Sequence, residues 1–521
     1  MKSLKIRTLY IFLCLTVLLP FQAQTERTAN VILEHAESLT FDKARNAERQ
    51  VLKHNVRFRH EGAVMYCDSA YFYADRNSLD AFGNVRMIQG DTLFVYSDVL
   101  FYDGNAKMAY LRYNVKMINR DVTLTTDSLN YDRQVNVGYY FEDGQITDET
   151  NVLTSRKGYY YPNLKEAIFR RNVVLTNDDS LIIRSDTLRY RTDTKVAYIL
   201  GPSTIENRDG HIYSEWGSYN TETQFSSLFN RSQVRNNDGK FLTADTIFYD
   251  KANGIARTFG NAEIRDTVRK IILRGNVGYY NELTEKSLMT NNALAVEYSS
   301  GADSLFLHAD TLLGTKDSTF NLLRAFRAVR FFRSDVQGKC DSLSYSTRDS
   351  LMSMFFDPVL WSENNQLTGN LIQVFMRDSV IDHIFVQGNA LAVMQDDDST
   401  KFSQLSGKEI KGFLHDNELF KIEVKGNAES IYFPRESDGT LIGVNRTESS
   451  FLTAFLVNNK IEKVILFPGA SGKMMPIEET VHEDIFFPNF KWLDDIRPKR
   501  KEDIFIRTEP VPRKEERRRR R

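Results

Sequence analysis

The sequence has 521 residues with 68 basic and 69 acidic side chains, so its formal net charge of -1 gives no overall attraction to nucleic acid. Hydrophobic residues make up 41% and aromatic residues 12%, enough for a packed core, which excludes a wholly disordered chain. Three cysteines in a chain of this length cannot form the disulfide framework of a small secreted domain.

The first residues have the pattern of a secretory signal peptide. Basic residues Lys2, Lys5 and Arg7 precede an apolar run, Leu9–Leu19, and Ala23-Gln24 is a suitable cleavage site. The run is too short to cross about 30 Å of hydrocarbon, which favours cleavage over a membrane anchor. We therefore predict a signal peptide over residues 1–23 and export of the mature chain.

After this segment, two short motifs recur with a shared spacing of 29 to 31 residues. One is an acidic residue followed at alternate positions by an apolar residue and an aromatic ring, as at Asp98, Asp127, Asp186, Asp245 and Asp341. The other is an asparagine followed at alternate positions by apolar residues, as at Asn55, Asn84, Asn114, Asn172 and Asn261. Two motifs with one period indicate a repeat protein.

Apolar residues within each motif alternate with polar ones, which is the period of a half-buried β-strand. A repeat of two or three short strands cannot bury its apolar face alone, so neighbouring repeats must stack. We predict an all-β fold, an elongated β-jelly-roll or β-solenoid formed as a folded sheet from repeats of about 30 residues. The predicted boundaries are 24–300 for a regular repeat domain, 301–433 for a less regular repeat region, 434–496 for a C-terminal capping module and 497–521 for a disordered basic tail.

The cysteines are interpreted within this organisation. Cys14 lies in the predicted signal peptide, and Leu13 before it is bulkier than lipid modification favours, which leaves lipidation of Cys14 open. Cys67 and Cys340 occupy equivalent places about nine strand steps apart, or about 43 Å. A disulfide needs Cα atoms within about 7 Å, so both are predicted to be free thiols.

The paired motifs resemble those of the OstA-like, or organic-solvent-tolerance, family, which includes the bridge protein of lipopolysaccharide transport. The resemblance is close over residues 30–280 and looser over 300–433. It implies an open β-jelly-roll whose apolar inner face shields lipid acyl chains in the periplasm, possession of no cofactor, and no enzymatic activity. It also implies lipopolysaccharide or a related amphiphile as ligand, with envelope transport proteins or further copies of the chain paired edge to edge as partners, at the outer membrane or in the periplasm.

A periplasmic carrier needs a continuous apolar groove, because exposing a chain of about a dozen carbons to water costs roughly 10 kcal/mol. The predicted groove residues are the inward positions of both motifs: Val85, Met87, Leu100, Tyr102, Val115, Met117, Leu129, Tyr131, Val173, Leu175, Leu188, Tyr190, Ile247 and Tyr249. The same residues fit an ordinary repeat core equally well. The acidic column is predicted to cap turn and strand-end N–H groups, since stacked carboxylates would otherwise repel one another.

Other functional classes have less support in the residues. The eight histidines show no metal-ligand spacing. A secreted β-solenoid enzyme acting on polysaccharide needs acid and base residues gathered in one cleft, whereas the polar columns here are evenly spread. That enzyme, and a structural or assembly protein associated with the outer membrane, remain the alternatives to a lipid carrier.

Overall fold

The computed structural model describes residues 29–41, 48–177, 180–298, 304–317, 320–377, 380–396, 400–415, 418–436, 439–457 and 460–507. The predicted signal peptide with Cys14, and the end of the basic tail from residue 508, lie outside these residues. The described chain divides after Glu142 into two compact units. The predicted all-β fold is confirmed, because antiparallel strands make up most of each unit.

The first unit contains nine strands and one short 3-10 helix, Ala74–Arg76. The strands are β1 Ile32–His35, β2 Ser38–Phe41, β3 Gln50–His60, β4 Ala63–Tyr73, β5 Ser78–Gln89, β6 Leu93–Asp103, β7 Met108–Asn119, β8 Val122–Asp132 and β9 Val137–Tyr140. From β3 onward each strand pairs with the next along the chain.

The second unit continues the strand numbering. Its strands are β10 Gly144–Thr147, β11 Asn151–Ser155, β12 Lys157–Tyr161, β13 Glu166–Asn177, β14 Ile182–Arg191, β15 Val196–Ile199, β16 Ser203–Asn207, β17 Gly210–Ser214, β18 Trp216–Asn220, β19 Phe225–Phe229, β20 Gln233–Asn236, β21 Lys240–Thr243, β22 Thr246–Asp250, β23 Ile255–Asp266, β24 Ile271–Asn281, β25 Lys286–Glu297, β26 Leu305–Asp317, β27 Phe320–Phe332, β28 Gln337–Ser346, β29 Leu351–Phe355, β30 Val359–Ser362, β31 Asn365–Thr368, β32 Leu371–Arg377, β33 Val380–Gln395, β34 Phe402–His415, β35 Glu418–Tyr432, β36 Val444–Val457, β37 Lys460–Phe467 and β38 Ser471–Met475.

Every second long strand has a bulge near its middle, and most of these bulges fall on the asparagine motif. In β5, Gly83 and Asn84 have φ of 76° and 46°, and β7 repeats this at Tyr113 and Asn114 with φ of 63° and 50°. Each such strand has one more residue at the bend than its neighbours: Phe82 and Val85 of β5 face Val99 and Ser97 of β6. This is a β-bulge, and asparagine and glycine are the residues that tolerate its left-handed backbone best.

The bends align from strand to strand, so the sheet in each unit folds into two walls. We call the bend the corner, and the opposite edge, where the turns between strands lie, the mouth. Wall A holds the strand halves with the tyrosines, such as Val99–Asp103 of β6, and wall B holds the halves such as Leu93–Ser97. In some places the backbone pairing is interrupted at the corner, and the two wall segments are then separate strands. For example, β15 and β16 pair with the two ends of β14.

Along each strand, buried residues on the inner face of the wall alternate with more exposed residues on the outer face, as the sequence pattern predicts. In unit 1, Leu79, Tyr102, Ala109, Tyr131 and Gly138 lie in register across five strands of wall A. In unit 2 the same position holds Tyr160, Ala167, Tyr190, Ala197 and Tyr219. We call these positions, and those in register with them, the tyrosine row. Large rings alternate with small residues along the row, which allows the rings to pack side by side.

The residues predicted as a C-terminal module contain the last strands of the sheet and a returning segment. Residues 476–507, which we call the strap, follow β38 with 3-10 helices Ile477–Glu479, Asp494–Ile496 and Asp503–Phe505 and a short helix α1, His482–Ile485. The strap packs on the outer face of wall B, where Phe487 joins a core with Val393, Ile431 and Val444. No helix in the described part of the chain is long and apolar enough to span a membrane.

Candidate functional site

The predicted groove residues all face the interior between the two walls of their own unit. Thirteen of the fourteen are at most 2% exposed, in unit 1 Val85, Met87, Leu100, Tyr102, Val115, Met117, Leu129 and Tyr131, and in unit 2 Val173, Leu175, Leu188, Tyr190 and Ile247. Tyr249 is half-buried. The walls are in contact at these positions, since a Cβ added to Gly138 in wall A would lie 3.3 Å from Met117 Cε in wall B. The interior is therefore filled by side chains at these residues.

A set of polar contacts closes the mouth of unit 1, and we call such wall-to-wall contacts the clasp. Lys107 Nζ of the wall A turn lies 2.7 Å from Glu61 Oε2 of the wall B turn. Arg133 donates to Gln89 Oε1 at 3.0 Å and to the Tyr102 hydroxyl at 2.6 Å. The same hydroxyl lies 2.6 Å from Nδ1 of buried His60. Burial lowers the pKa of His60, because the charged form of the ring would lose its hydration there.

Unit 2 has its own clasp around a buried carboxylate. The Asp148 side chain is fully shielded and accepts the Tyr190 hydroxyl at 2.6 Å and the backbone N–H of Asn151 at 2.9 Å. Lys195 Nζ lies 3.0 Å from the same carboxylate, an ion pair without the alignment of a hydrogen bond. Burial alone would raise the pKa of Asp148, but the hydrogen bonds, led by that of Tyr190, outweigh it and hold the pKa below its usual value.

Further along unit 2 the clasp continues with surface pairs. Lys240 donates to the Tyr280 hydroxyl at 2.7 Å, Lys251 lies 3.2 Å from Asp209, and Arg269 lies 3.4 Å from Glu285. In each case one partner belongs to a turn or strand end of wall A and the other to wall B. The clasp contacts named here lie between residues 60 and 142 in unit 1 and between residues 143 and 285 in unit 2.

Sequence reasoning missed the clasp, although one signal for it is present. The turns of wall A end in a residue with positive φ that recurs with the same period as the other motifs: Asn77, Lys107, Asn136, Lys165, Lys195, Gln224, Gly254 and Glu285. Lys107, Lys195 and Glu285 are clasp residues. These turn positions share a backbone conformation but differ in side chain, so they do not appear in the sequence as a repeated residue type.

The acidic column lies on the outside of the corner, next to the asparagines. Asp68 accepts the side-chain amide of Asn84 at 2.8 Å, Asp98 that of Asn114 at 2.7 Å, and Asp245 that of Asn261 at 2.7 Å. The predicted caps on backbone N–H groups are in these cases side-chain contacts instead. Each of these three acidic residues thus fixes the asparagine that bends the next strand, whereas Asp186 and Asp341 accept from the hydroxyls of Thr187 and Ser342.

Toward the end of unit 2 the mouth differs from the clasped part. In the tyrosine row, Leu323, Tyr345, Met352, Ile384 and Ile422 are half-buried, whereas the row is buried from Tyr160 to Ser226. The first inward position beside the corner stays buried there, as at Leu343, Met354 and Val424. The walls still meet at depth, because a Cβ added to Gly338 of wall B would lie 3.2 Å from Met354 Cε of wall A. An apolar trough is therefore open at the mouth and closed toward the corner.

Other chemistry is sparse in the described residues. No group of three or more His, Cys, Asp or Glu side chains there is arranged to hold a metal ion. Cys67 and Cys340 are free, as predicted, and both are buried, which raises the pKa of each thiol to about 12. A shallow surface recess of about 390 Å³ is lined by Lys157, Arg170 and Arg171 on the outer side of the corner.

Comparisons with known proteins identify part of the chain. Residues 28–186 match the family model described as OstA-like protein. One similar solved structure is LptH of Pseudomonas aeruginosa, described as the LptA homologous periplasmic component of the conserved lipopolysaccharide transport device. The two chains are 14% identical, the match covers 27% of this chain and 99% of LptH, and the TM-score is 0.21, too low to support an argument. No curated protein sequence matches the chain.

The family match covers the asparagine and aspartate motifs at Asn55, Asn84, Asn114 and Asn172, and it therefore agrees with the resemblance found in the sequence. Over residues 28–186 this chain is similar to the proteins of the OstA-like family.

Proposed function

We propose that this chain is a periplasmic lipid-binding protein that shields the acyl chains of lipopolysaccharide between its two walls during transport to the outer membrane. The observation that carries the proposal is the repeated apolar interior, in which wall A and wall B of each unit face each other with the predicted groove residues between them. The OstA-like match over residues 28–186 supports it. The proposed role is binding and transfer, without catalysis.

The repeat suits a carrier for an energetic reason. Each rung presents nearly the same pair of inward residues, such as Val85 with Met87 and Val115 with Met117. A methylene group gains about 0.8 kcal/mol on leaving water for an apolar surface, and equal linings give it nearly the same gain at each rung. An acyl chain that advances by one rung therefore meets no deep trap.

Partners are proposed to bind at the strand edges. The strands β1 and β2 at one end pair only with β3, and β37 and β38 at the other end pair only with β36, among the strands described. An unpaired edge can add a further strand from another protein. We propose envelope transport proteins, or further copies of this chain, as the partners at these edges.

The test is lipid recovery from the exported protein. Protein purified from the periplasmic fraction without added lipid should carry an amphiphile that mass spectrometry identifies. Tyr345→Asp and Ile384→Asp should lower the amount of co-purified lipid, because each puts a charge on the interior face where the mouth is open. Ser344→Asp is the matched control, since Ser344 is the neighbouring residue of β28 and lies on its opposite face.

An aspartate among apolar side chains destabilises the fold, so circular dichroism must show that each variant is folded, and Tyr345→Ala provides a milder change at the same position. Folded Tyr345→Asp and Ile384→Asp proteins that carry as much lipid as the parent would exclude the open part of the interior as the binding site. A parent protein with no bound amphiphile, and no uptake of added lipopolysaccharide, would contradict the function itself.

A further inference from the structure

The interior of unit 2 has two parts that differ in access to solvent. From Tyr160 to Ser226 the tyrosine row is buried, with Tyr190 and Ala197 at 0% exposure. From Leu323 to Ile422 the residues in register along the same row are half-buried, with Val374 as the buried exception. The row occupies the same place in the sheet throughout. The difference in its burial is therefore a difference in how the mouth is closed.

The clasp explains the closed part. The fully shielded Asp148 holds Tyr190 and Lys195, so parting the walls there would break a buried charge pair, at a cost of several kcal/mol. In unit 1, Arg133 bonds Gln89, Tyr102 and the backbone oxygen of His60 at 3.1 Å, and parting the walls would leave buried polar groups unpaired. Acyl entry at these rungs therefore requires the loss of several polar contacts at once.

The open part of unit 2 is held from outside by the strap instead. Gln404 donates to the Ile485 carbonyl at 2.8 Å and accepts the Phe487 N–H at 3.1 Å. Gln366 does the same at Lys491 and Leu493, at 2.7 and 2.8 Å. The strap thus crosses the outer face of wall B behind the trough, and these four hydrogen bonds fix that wall from outside.

Resting on the function proposed above, we infer that acyl chains enter and reside in the trough formed by Leu323, Tyr345, Met352, Ile384 and Ile422 in unit 2, whereas the clasped rungs of each unit stay closed to them. The residues that form the trough are mostly apolar and already half-exposed, so a chain that binds there gains the burial of its methylenes. The ligand class is a linear hydrocarbon chain.

The size of the trough agrees with such a ligand. Between Leu323 in β27 and Ile422 in β35 the row crosses seven strands of wall A, or about 29 Å at about 4.8 Å per step. One leaflet of a membrane is about 15 Å thick in its hydrocarbon part. A single extended acyl chain therefore fits along the row.

Photolabelling with a palmitic acid that carries a diazirine tests the location. Peptides that contain Leu323, Tyr345, Ile384 or Ile422 should be labelled, and unlabelled palmitate should compete. Leu323→Asp should weaken palmitate binding at least fivefold, whereas Leu322→Asp should leave it unchanged, because Leu322 is half-buried on the opposite face of the same strand. Saturable labelling confined to the clasped rungs, around Leu129 or Leu188, would overturn this inference and leave the proposed function standing. The absence of any saturable labelling would overturn the proposed function.

A clasp variant tests the other half of the inference. Lys107→Ala combined with Arg133→Ala removes two cations of the unit 1 clasp, and labelling should then appear on peptides that contain Met117 or Leu129. Circular dichroism checks the fold of this variant. If the folded variant shows no new labelling in unit 1, the clasp is not what closes these rungs, and that part of the inference is wrong.

Discussion

At the residue scale, the bend in each strand is set by a pair of residues rather than by a turn. Asn114 adopts φ of 50° and its side chain donates to Asp98 on the preceding strand at 2.7 Å. A left-handed residue other than glycine costs roughly 1 kcal/mol, and the hydrogen bond to the aspartate offsets part of that cost. The aspartate of one sequence motif and the asparagine of the other therefore meet in one hydrogen bond at the corner.

Asp148 gives the molecule a stability that depends on pH. Its pKa is held below the usual carboxyl value, so its contribution is present above about pH 4 and is lost as the pH falls through the folded value. Asp148→Asn should lower the free energy of unfolding of unit 2 by about 3 kcal/mol at pH 7, because Lys195 loses its partner in a buried site. Urea unfolding at pH 7 and at lower pH checks this, and the difference from the parent should shrink below about pH 4.

Asp193→Asn is the control for this prediction. Asp193 pairs with Arg191 at 2.9 Å on the surface, where an ion pair contributes little. It should change stability far less than Asp148→Asn does. A loss for Asp148→Asn that is the same at every pH would show that the carboxylate charge is not what stabilises this part of the clasp.

Sequence reasoning found the inward residues and missed the clasp for a physical reason. Val85, Met87 and Tyr102 are visible because burial selects apolar side chains at a fixed period. Lys107, Arg133 and Asp148 lie in turns, where only the backbone conformation repeats and many side chains satisfy it. Their contacts also join residues more than forty positions apart, such as Gln89 and Arg133, a pairing that follows only from the fold.

At the element scale, the strap is the feature that depends most on buried polar side chains. Gln366 is 0% exposed and binds both the N–H of Leu493 and the carbonyl of Lys491, two residues apart. Gln404 repeats this grip at Ile485 and Phe487. These glutamines bond backbone N–H and carbonyl groups of the strap, which any residue type can supply. The strap sequence therefore carries no motif that predicts its place on wall B.

Gln366→Ala should release the middle of the strap. The change leaves the backbone groups of Lys491 and Leu493 and the Trp361 ring N–H without their partner, which costs roughly 2 to 3 kcal/mol locally. Hydrogen exchange at Leu493 and tryptic cleavage after Lys491 should both become faster. Gln373→Ala is the control, because Gln373 is a half-buried amide of β32 whose side chain bonds Ser353 of wall A at 3.3 Å. Equal protection of Leu493 in Gln366→Ala and the parent would mean that the aromatic contacts of the strap hold it alone.

At the scale of the whole molecule, the chain presents exposed apolar residues on its terminal strands. Ile465 and Phe467 of β37 are 44% and 70% exposed, and Ile32 and Phe41 of β1 and β2 are 57% and 50% exposed. Edge strands are normally protected by charge, proline or a covering segment. Exposed apolar residues on strands with an unpaired edge instead favour addition of another strand. Pairing of one end with the other end of a second copy would leave an unpaired edge for a further copy.

Ile465→Lys should therefore weaken self-association of the mature protein. The lysine places a charge on the last strand of wall A, where a second copy would otherwise add its own strand, and the desolvation of that charge opposes pairing. Sedimentation velocity over a range of protein concentrations should show larger species for the parent and a shift toward the monomer for Ile465→Lys. Val135→Lys, at a 64% exposed turn position outside any strand, should behave as the parent does. If Ile465→Lys and the parent sediment alike at every concentration, β37 is not an assembly edge, and partners must bind elsewhere on the sheet.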